Sequence, residues 1–182
     1  MTNASARSTY TRTAIVLHWL MAVLIVGTLA LGWYMADLPI SPSRIKLFNY
    51  HKWIGITIFL LAAARLLWRL SHRPPLLPAS MPRWQQVAAH GAHWLLYALF
   101  FVTPLVGWVY SSASGYSVSY LGLIPLPDLV QPDKELAGIL EACHALLAYS
   151  LAVVVALHIA AALKHALEQP RAYLQRMTRF ES

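Results

Sequence analysis

The sequence predicts an all-α membrane protein: a bundle of four transmembrane helices with both termini in the cytoplasm. Hydrophobic residues make up 58% of its 182 positions and charged residues only 12%, whereas a soluble domain carries about a quarter charged residues. Four apolar stretches are each about as long as the roughly twenty residues that cross a bilayer core. Since helices satisfy their own backbone hydrogen bonds in lipid, we expect these stretches to be helical. The length suits a single domain over residues 1–182.

The four helices are expected at about residues 13–33, 48–70, 87–110 and 136–167. The first is too long for a signal peptide, and no convincing small-residue cleavage site follows it before Asp37. The proline-rich segments DLPISPSR and HRPPLLPASMPR end the first two helices. Pro104 is expected to kink the third helix. The outer connection LGLIPLPDLVQPD is too interrupted for a regular helix.

The lysines and arginines predict the orientation of the bundle. Ten of the fourteen lie on the side of both termini, and only four lie on the other side, namely Arg44, Lys46, Lys52 and Lys134. The positive-inside rule therefore places both termini in the cytoplasm. The net charge of +7 is explained by topology, so we expect no nucleic-acid partner. The single cysteine, Cys143, excludes a disulfide within one chain.

The histidines indicate function, because ionisable residues inside a membrane are rare. His144 and His158 are fourteen residues apart on the fourth helix, hence on nearly one face and about 21 Å apart along its axis. His51 matches the outer depth of His144, and His18 matches the inner depth of His158. Two imidazoles at one depth on facing helices suit axial ligation of haem iron. Small residues along these helices, including Gly55, Gly107, Ala148, Ala152 and Ala162, would leave room for porphyrins.

Other metals and ligands are less well supported. Zinc would need four ligands in one tetrahedral cluster, whereas these histidines are split between two depths. His90 and His93 are interpreted as neighbours of a haem propionate, and as reserve ligands should His18 not serve. His72 is expected in a solvated loop. Cys143 points about 100° away from His144, and we expect it to be a small buried hydrophobe.

Two arginines close the cytoplasmic end of the second helix. Arg69 is expected to snorkel to the lipid headgroups. Arg65 lies deeper, and a buried arginine needs an anion. A haem propionate is the expected partner of Arg65.

Several segments make the chain similar to the bacterial cytochrome b561 family, which are small four-helix, di-haem membrane cytochromes. They are LHWL, HKWIG, RLLWRLSHRPPLLP, HGAHWLLYALFFVTPLVGW and CHALLAYSLAVVVALHIAAALKH, and they span about Tyr10 to Met177. The resemblance implies two b-type haems in the bacterial inner membrane. It places the four iron ligands on His18, His51, His144 and His158.

The resemblance also implies an oxidoreductase linked to ubiquinone, and some members of the family are superoxide:ubiquinone oxidoreductases. Arg44, Lys46 and Lys52 would form a small cationic patch that attracts superoxide or guides another periplasmic donor. His165, with Lys164 nearby, is the candidate for the quinone pocket.

Two other functions remain open at this point. The chain could be the cytochrome b anchor of a hydrogenase or dehydrogenase complex, although those subunits usually carry an extra span. It could also be a non-redox membrane protein whose histidines bind a metal or relay protons. Membrane lipid is an expected partner in every case, and the identity of any partner subunit is open.

Overall fold

The computed structural model describes residues 9–77, 81–168 and 175–178. Its long helices are α1 (Arg12–Ala36), α2 (Pro42–Ser71), α3 (Arg83–Ala113) and α4 (Lys134–Glu168). Between α3 and α4 lie two short strands, β1 (Ser119–Tyr120) and β2 (Ile124–Pro125), and α5 (Gln175–Thr178) follows α4. All four long helices are long and apolar enough to cross a membrane. The predicted four-helix membrane fold is therefore confirmed, while its orientation stays a prediction. Of the counted cations, Arg7, Arg171 and Arg179 lie outside the described residues.

Helices α1, α2 and α4 begin before their apolar runs, because polar side chains cap their first turns. The hydroxyl of Thr11 accepts the backbone N–H of Ala14 at 3.3 Å and starts α1. Ser41 caps α2 in the same way, directly before Pro42. The Asp133 carboxylate accepts the N–H groups of Glu135 and Leu136 at 2.9 and 3.0 Å at the start of α4. Helix α3 continues through Pro104.

The bundle is built by packing each helix on the next, α1 on α2, α2 on α3 and α3 on α4. Ala62 of α2 is fully buried, which lets the neighbouring helices approach closely. The buried core comprises Met21, Ile25, Ile58, Ala62, Leu96, Leu99 and Leu151. Many other apolar side chains point outward, among them Val23, Leu67 and Leu157. Such an apolar outer surface suits a lipid environment.

The connection between α3 and α4 is an ordered hairpin, which the sequence did not predict. Strands β1 and β2 pair antiparallel, and the turn between them uses positive φ at Leu121 and Gly122. The hairpin is fastened to α2, since the indole N–H of Trp53 donates to the Ser119 carbonyl at 2.6 Å and the hydroxyls of Thr57 and Tyr120 are 3.0 Å apart. We call this end of the bundle the hairpin side, and the opposite end the termini side.

At the termini side, α5 lies across the start of α1. The backbone N–H of Tyr10 donates to the Arg176 carbonyl at 3.3 Å. The indole N–H of Trp19 donates to the Met177 carbonyl at 2.9 Å. The two termini of the described chain are thus joined at one end of the bundle.

Candidate cofactor-binding sites

The structure brings His18 of α1 and His158 of α4 together at the termini side. Their ring centres are 6.2 Å apart and their planes are inclined by 69°. His93 of α3 joins them, with its ring centre 5.5 Å from that of His158. The Arg65 guanidinium interacts electrostatically with all three rings, and its Nη1 donates to the Ala14 carbonyl at 3.4 Å. This level therefore holds three imidazoles, with Arg65 close to all three and Arg69 also acting on His93.

The second pair lies at the hairpin side, where the ring centres of His51 and His144 are 6.1 Å apart and their planes are inclined by 85°. Nδ1 of His144 is 3.0 Å from the Thr103 carbonyl oxygen. A carbonyl can only accept, so Nδ1 carries the proton and Nε2 keeps its lone pair. Nδ1 of His51 is 3.2 Å from the Thr28 hydroxyl. Histidines that bind metals are commonly oriented by such a bond from their second nitrogen.

Two glycines make room for these rings. A methyl group added at Gly107 would lie 2.9 Å from Cε1 of His144. One added at Gly32 would lie 3.2 Å from Cε1 of His51. Each ring therefore lies directly against the backbone of a neighbouring helix. The sequence drew attention to Gly107 as a small residue, but it gave no sign that His144 is its neighbour.

The spacing of both pairs suits a haem held between them. An imidazole nitrogen binds a metal at about 2 Å and the ring centre lies about 1 Å further away, so two rings on opposite sides of one iron have centres roughly 6 Å apart. The observed separations are 6.2 and 6.1 Å. In the described part of the chain, no group of three or more His, Cys, Asp or Glu side chains is arranged to hold a bare metal ion. A pair of imidazoles at each level is one of the donor sets that hold haem iron.

Two expectations for nearby residues are wrong. His72 is half-buried rather than solvated, because it caps α2 and stacks on Trp68 with ring centres 3.9 Å apart. Cys143 is exposed rather than buried, since α4 turns this position outward when it directs His144 inward. His90, a reserve ligand, is exposed, and its Nδ1 lies 2.7 Å from the Gln86 carbonyl.

The cations at the hairpin side do not form one free patch. Arg44 donates from Nε and Nη2 to the carbonyls of Met35 and Ala36, both at 3.3 Å, and so caps the end of α1. Lys52, next to His51, donates to the Tyr116 carbonyl at 3.4 Å and interacts electrostatically with Asp128. Lys46 is exposed. Of these three cations, Lys52 is the one next to a histidine of the hairpin-side pair, since it directly follows His51 in the sequence.

The residues expected at a quinone pocket meet at the termini end of α4. His165 is 19% exposed, and its Nδ1 lies 3.8 Å from Oε2 of Glu168. Lys164 is 59% exposed, and its Nζ lies 3.8 Å from Oε1 of the same carboxylate. Glu168 was not predicted from the sequence to be part of this site. It lies three residues after His165 and four after Lys164, a spacing at which helical side chains meet, and this spacing could have indicated both contacts.

Comparison with known proteins gives concordant matches. A family model described as prokaryotic cytochrome b561 matches residues 9–180. Cytochrome b561 homolog 2 of Escherichia coli K12 is 34% identical over 150 residues, which cover 81% of this chain and 79% of that protein. The probable superoxide oxidase CybB of Yersinia pestis is 32% identical over 157 residues, covering 82% of this chain and 84% of that protein. Cytochrome b561 homolog 1 of Escherichia coli K12 is 30% identical over 160 residues, covering 86% and 89%.

Proposed function

Because the chain belongs to the prokaryotic cytochrome b561 family, we propose that this membrane electron carrier is a di-haem superoxide:ubiquinone oxidoreductase. The observation that carries the proposal is the pair of imidazoles at each of two levels, with ring centres 6.2 and 6.1 Å apart. We place the protein in the bacterial inner membrane, with its termini side in the cytoplasm and its hairpin side in the periplasm.

Each haem would be held by α4 and one helix facing it. His51 and His144 would bind one iron, and His18 and His158 the other. Arg65 would pair with a propionate, since its guanidinium interacts electrostatically with the rings at the termini side. A bound b-type haem supplies one-electron redox chemistry at each level.

Superoxide is proposed as the donor, a choice supported by the printed name of the relative from Yersinia pestis. With two imidazoles on each iron no position is open for oxygen, so superoxide would give up its electron without binding to the metal. Lys52 would attract the anion towards the hairpin-side pair, because it directly follows His51 in α2. Overall, two superoxide anions each lose one electron to become O2, and ubiquinone takes up both electrons and two protons to become ubiquinol.

The proposed quinone site lies at the termini end of α4. Reduction of a quinone requires protons at its oxygens, and the imidazole of His165 and the carboxylate of Glu168 are groups that can hold and deliver them. Lys164 keeps the carboxylate near the imidazole through its own contact with Glu168. In His165→Leu protein with normal haem content, we expect slower quinone reduction, and unchanged turnover would exclude this site.

The haem assignment is tested by counting haems per chain with the pyridine haemochrome spectrum. Wild-type protein should contain about two b-type haems, and His144→Leu and His158→Leu should each lose about one. His90→Leu is the matched control, because this histidine is exposed on α3. If His93→Leu loses a haem and His18→Leu does not, His93 is the ligand. A full complement of haem in His144→Leu would contradict the proposal.

The donor is tested by stopped-flow mixing of the oxidised holoprotein with superoxide, with and without a soluble ubiquinone analogue. We expect rapid reduction of the haems without quinone, and a smaller steady level of reduced haem when quinone is present. Haems that stay oxidised would remove superoxide as the donor while leaving the cytochrome assignment intact.

A further inference from the structure

A small cavity at the termini side has a lining rich in arginine. It lies between the start of α1 and the end of α2, has a volume of about 30 Å³, and includes Tyr97 of α3 in its lining. Arg65, Arg69 and Arg73 all contribute to its wall. We call it the arginine cavity. Ligand pockets usually enclose about 300 Å³ or more, so this cavity suits a small anionic group rather than a whole cofactor.

Hydrogen bonds and ring contacts hold the wall in place. The indole N–H of Trp68 donates to the Thr11 hydroxyl at 2.8 Å, which ties the end of α2 to the start of α1. The guanidinium of Arg69 lies over the rings of Trp94 and Tyr97, at 6.0 and 5.9 Å from their centres. Such contacts attract the guanidinium towards the ring faces. The position of Arg69 in the wall is therefore supported by its aromatic neighbours on α3.

The charge of the arginine cavity is not balanced by the described chain. None of the residues that line it is a carboxylate. Five of the seven carboxylates of the chain are at the hairpin side, namely Asp37, Asp128, Asp133, Glu135 and Glu141. At the termini side, the described residues include only Glu168, which pairs with Lys164 and His165 on α4. The cavity therefore offers positive charge to an outside anion without a carboxylate in its lining to compete.

We propose that the arginine cavity binds the phosphate group of an anionic phospholipid. The cavity lies at the end of the spanning helices, where lipid headgroups lie, and basic pockets between helices bind such headgroups. Guanidinium groups bind phosphate through two parallel hydrogen bonds. Leu67 and Leu70 on α2 are 67% and 69% exposed, and they offer an outward apolar surface to the acyl chains of the same lipid.

A haem propionate is less suited to this cavity, although it carries similar charge. The lining residues come from the segment before α1, from α1, α2, the segment after α2, and α3, and none comes from α4. The histidine pair at this level is completed by His158 of α4. We therefore assign Arg69 and Arg73 to the phosphate, and leave Arg65 facing the histidines.

The experiment is native mass spectrometry of the purified holoprotein in detergent, with equal amounts of dioleoyl phosphatidylglycerol and dioleoyl phosphatidylcholine. We expect the wild type to retain phosphatidylglycerol in preference to phosphatidylcholine. Arg73→Gln should lower that retention about fivefold, and Arg69→Gln with Arg73→Gln should lower it further, as each cation near the membrane contributes about 1 kcal/mol. Arg83→Gln is the control, because Arg83 is exposed at the same side and lies outside the cavity.

Several results would overturn the proposal. One is equal retention of the two lipids by the wild type, and another is an equal loss of phosphatidylglycerol in Arg83→Gln. Displacement of the lipid by millimolar inorganic phosphate would make free phosphate the ligand. Haem absorbance is recorded for every variant. A variant that loses haem but keeps its lipid would show that the cavity holds a propionate.

Discussion

At the level of single residues, the histidines of the hairpin side are positioned by groups that have no metal-binding chemistry of their own. Thr103 uses its backbone carbonyl, and Gly107, one turn later on α3, leaves the space that the His144 ring fills. Thr28 and Gly32 stand in the same relation to His51 on α1. In both cases a hydrogen-bonding residue and a glycine four positions later hold one ring.

Gly107→Ala should weaken the proposed haem site at the hairpin side. The added methyl group would lie 2.9 Å from Cε1 of His144, which is too close, so the ring must move away from the Thr103 carbonyl. We expect the haem content to fall by up to about half, because one of two sites is affected. Gly27→Ala is the control, since a methyl group there meets nothing within 4 Å. Unchanged haem content and spectrum in Gly107→Ala would contradict this positioning role.

Charges next to His51 should set the rate with superoxide. Lys52→Gln removes the cation and should slow haem reduction, while Asp128→Asn removes the carboxylate that interacts with Lys52 and should accelerate it. Each substitution is expected to change the rate of haem reduction about two- to fivefold at low salt, and by less at high salt. Lys134→Gln serves as the control, as Lys134 is exposed at the hairpin side at the start of α4. Equal rates in all variants would rule out local steering.

At the level of elements, α4 differs from the other helices because it contributes one histidine to each pair. A helix of 35 residues rises about 1.5 Å per residue, so one element sets the distance between the two levels. Each of the helices α1, α2 and α3 contributes one or more histidines, and the hairpin between α3 and α4 contacts α2 at the hairpin side. Helix α4 alone therefore sets the distance between the two histidine pairs, whereas each pair is completed by a histidine from another helix.

Trp53→Phe should loosen the hairpin while leaving the helices intact. It removes the 2.6 Å bond from the indole to the Ser119 carbonyl, and a hydrogen bond of this kind contributes about 1 kcal/mol. We expect chymotrypsin to cleave between residues 114 and 133 about fivefold faster than in wild type. Trp84→Phe is the matched control because Trp84 is 69% exposed and lies at the termini side. Equal cleavage of both variants would show that the indole bond does not fasten the hairpin.

At the level of the whole molecule, charge is distributed unequally between the two ends. Of the eleven lysines and arginines among the described residues, seven lie at the termini side, whereas five of the six described carboxylates lie at the hairpin side. This distribution sets the orientation that we propose, because positive residues are retained in the cytoplasm. It also explains why no carboxylate of the described residues lines the arginine cavity.

The orientation can be measured with single cysteines in a Cys143→Ala background. Leu123→Cys at the hairpin and Trp84→Cys at the termini side are suitable positions. The native Leu123 is 81% exposed and the native Trp84 is 69% exposed. In spheroplasts, a membrane-impermeant maleimide should label Leu123→Cys, and should label Trp84→Cys only after the membrane is opened. The reverse pattern would invert the proposed direction of electron transfer.

Much of the fold could be predicted because its signals are local. The four apolar runs predicted four helices, and only their ends were set too short, since caps such as Thr11 and Asp133 lie outside the apolar segment. The hairpin was missed because its strands are two residues long and depend on contacts with Trp53 and Thr57 of α2. Neither contact has a signature in the sequence of the loop.

The sequence by itself determined the number of membrane-spanning helices, the side on which most positive charge lies, and the fourteen-residue separation of His144 and His158, because each depends on the composition or periodicity of single segments. Only the tertiary structure decided which side chains meet. It placed His93 beside His158, set Thr103 and Gly107 against His144, turned Cys143 outward, and gathered arginines around one cavity. These contacts depend on how each helix is rotated and packed against the next, which the pattern within a single helix does not specify.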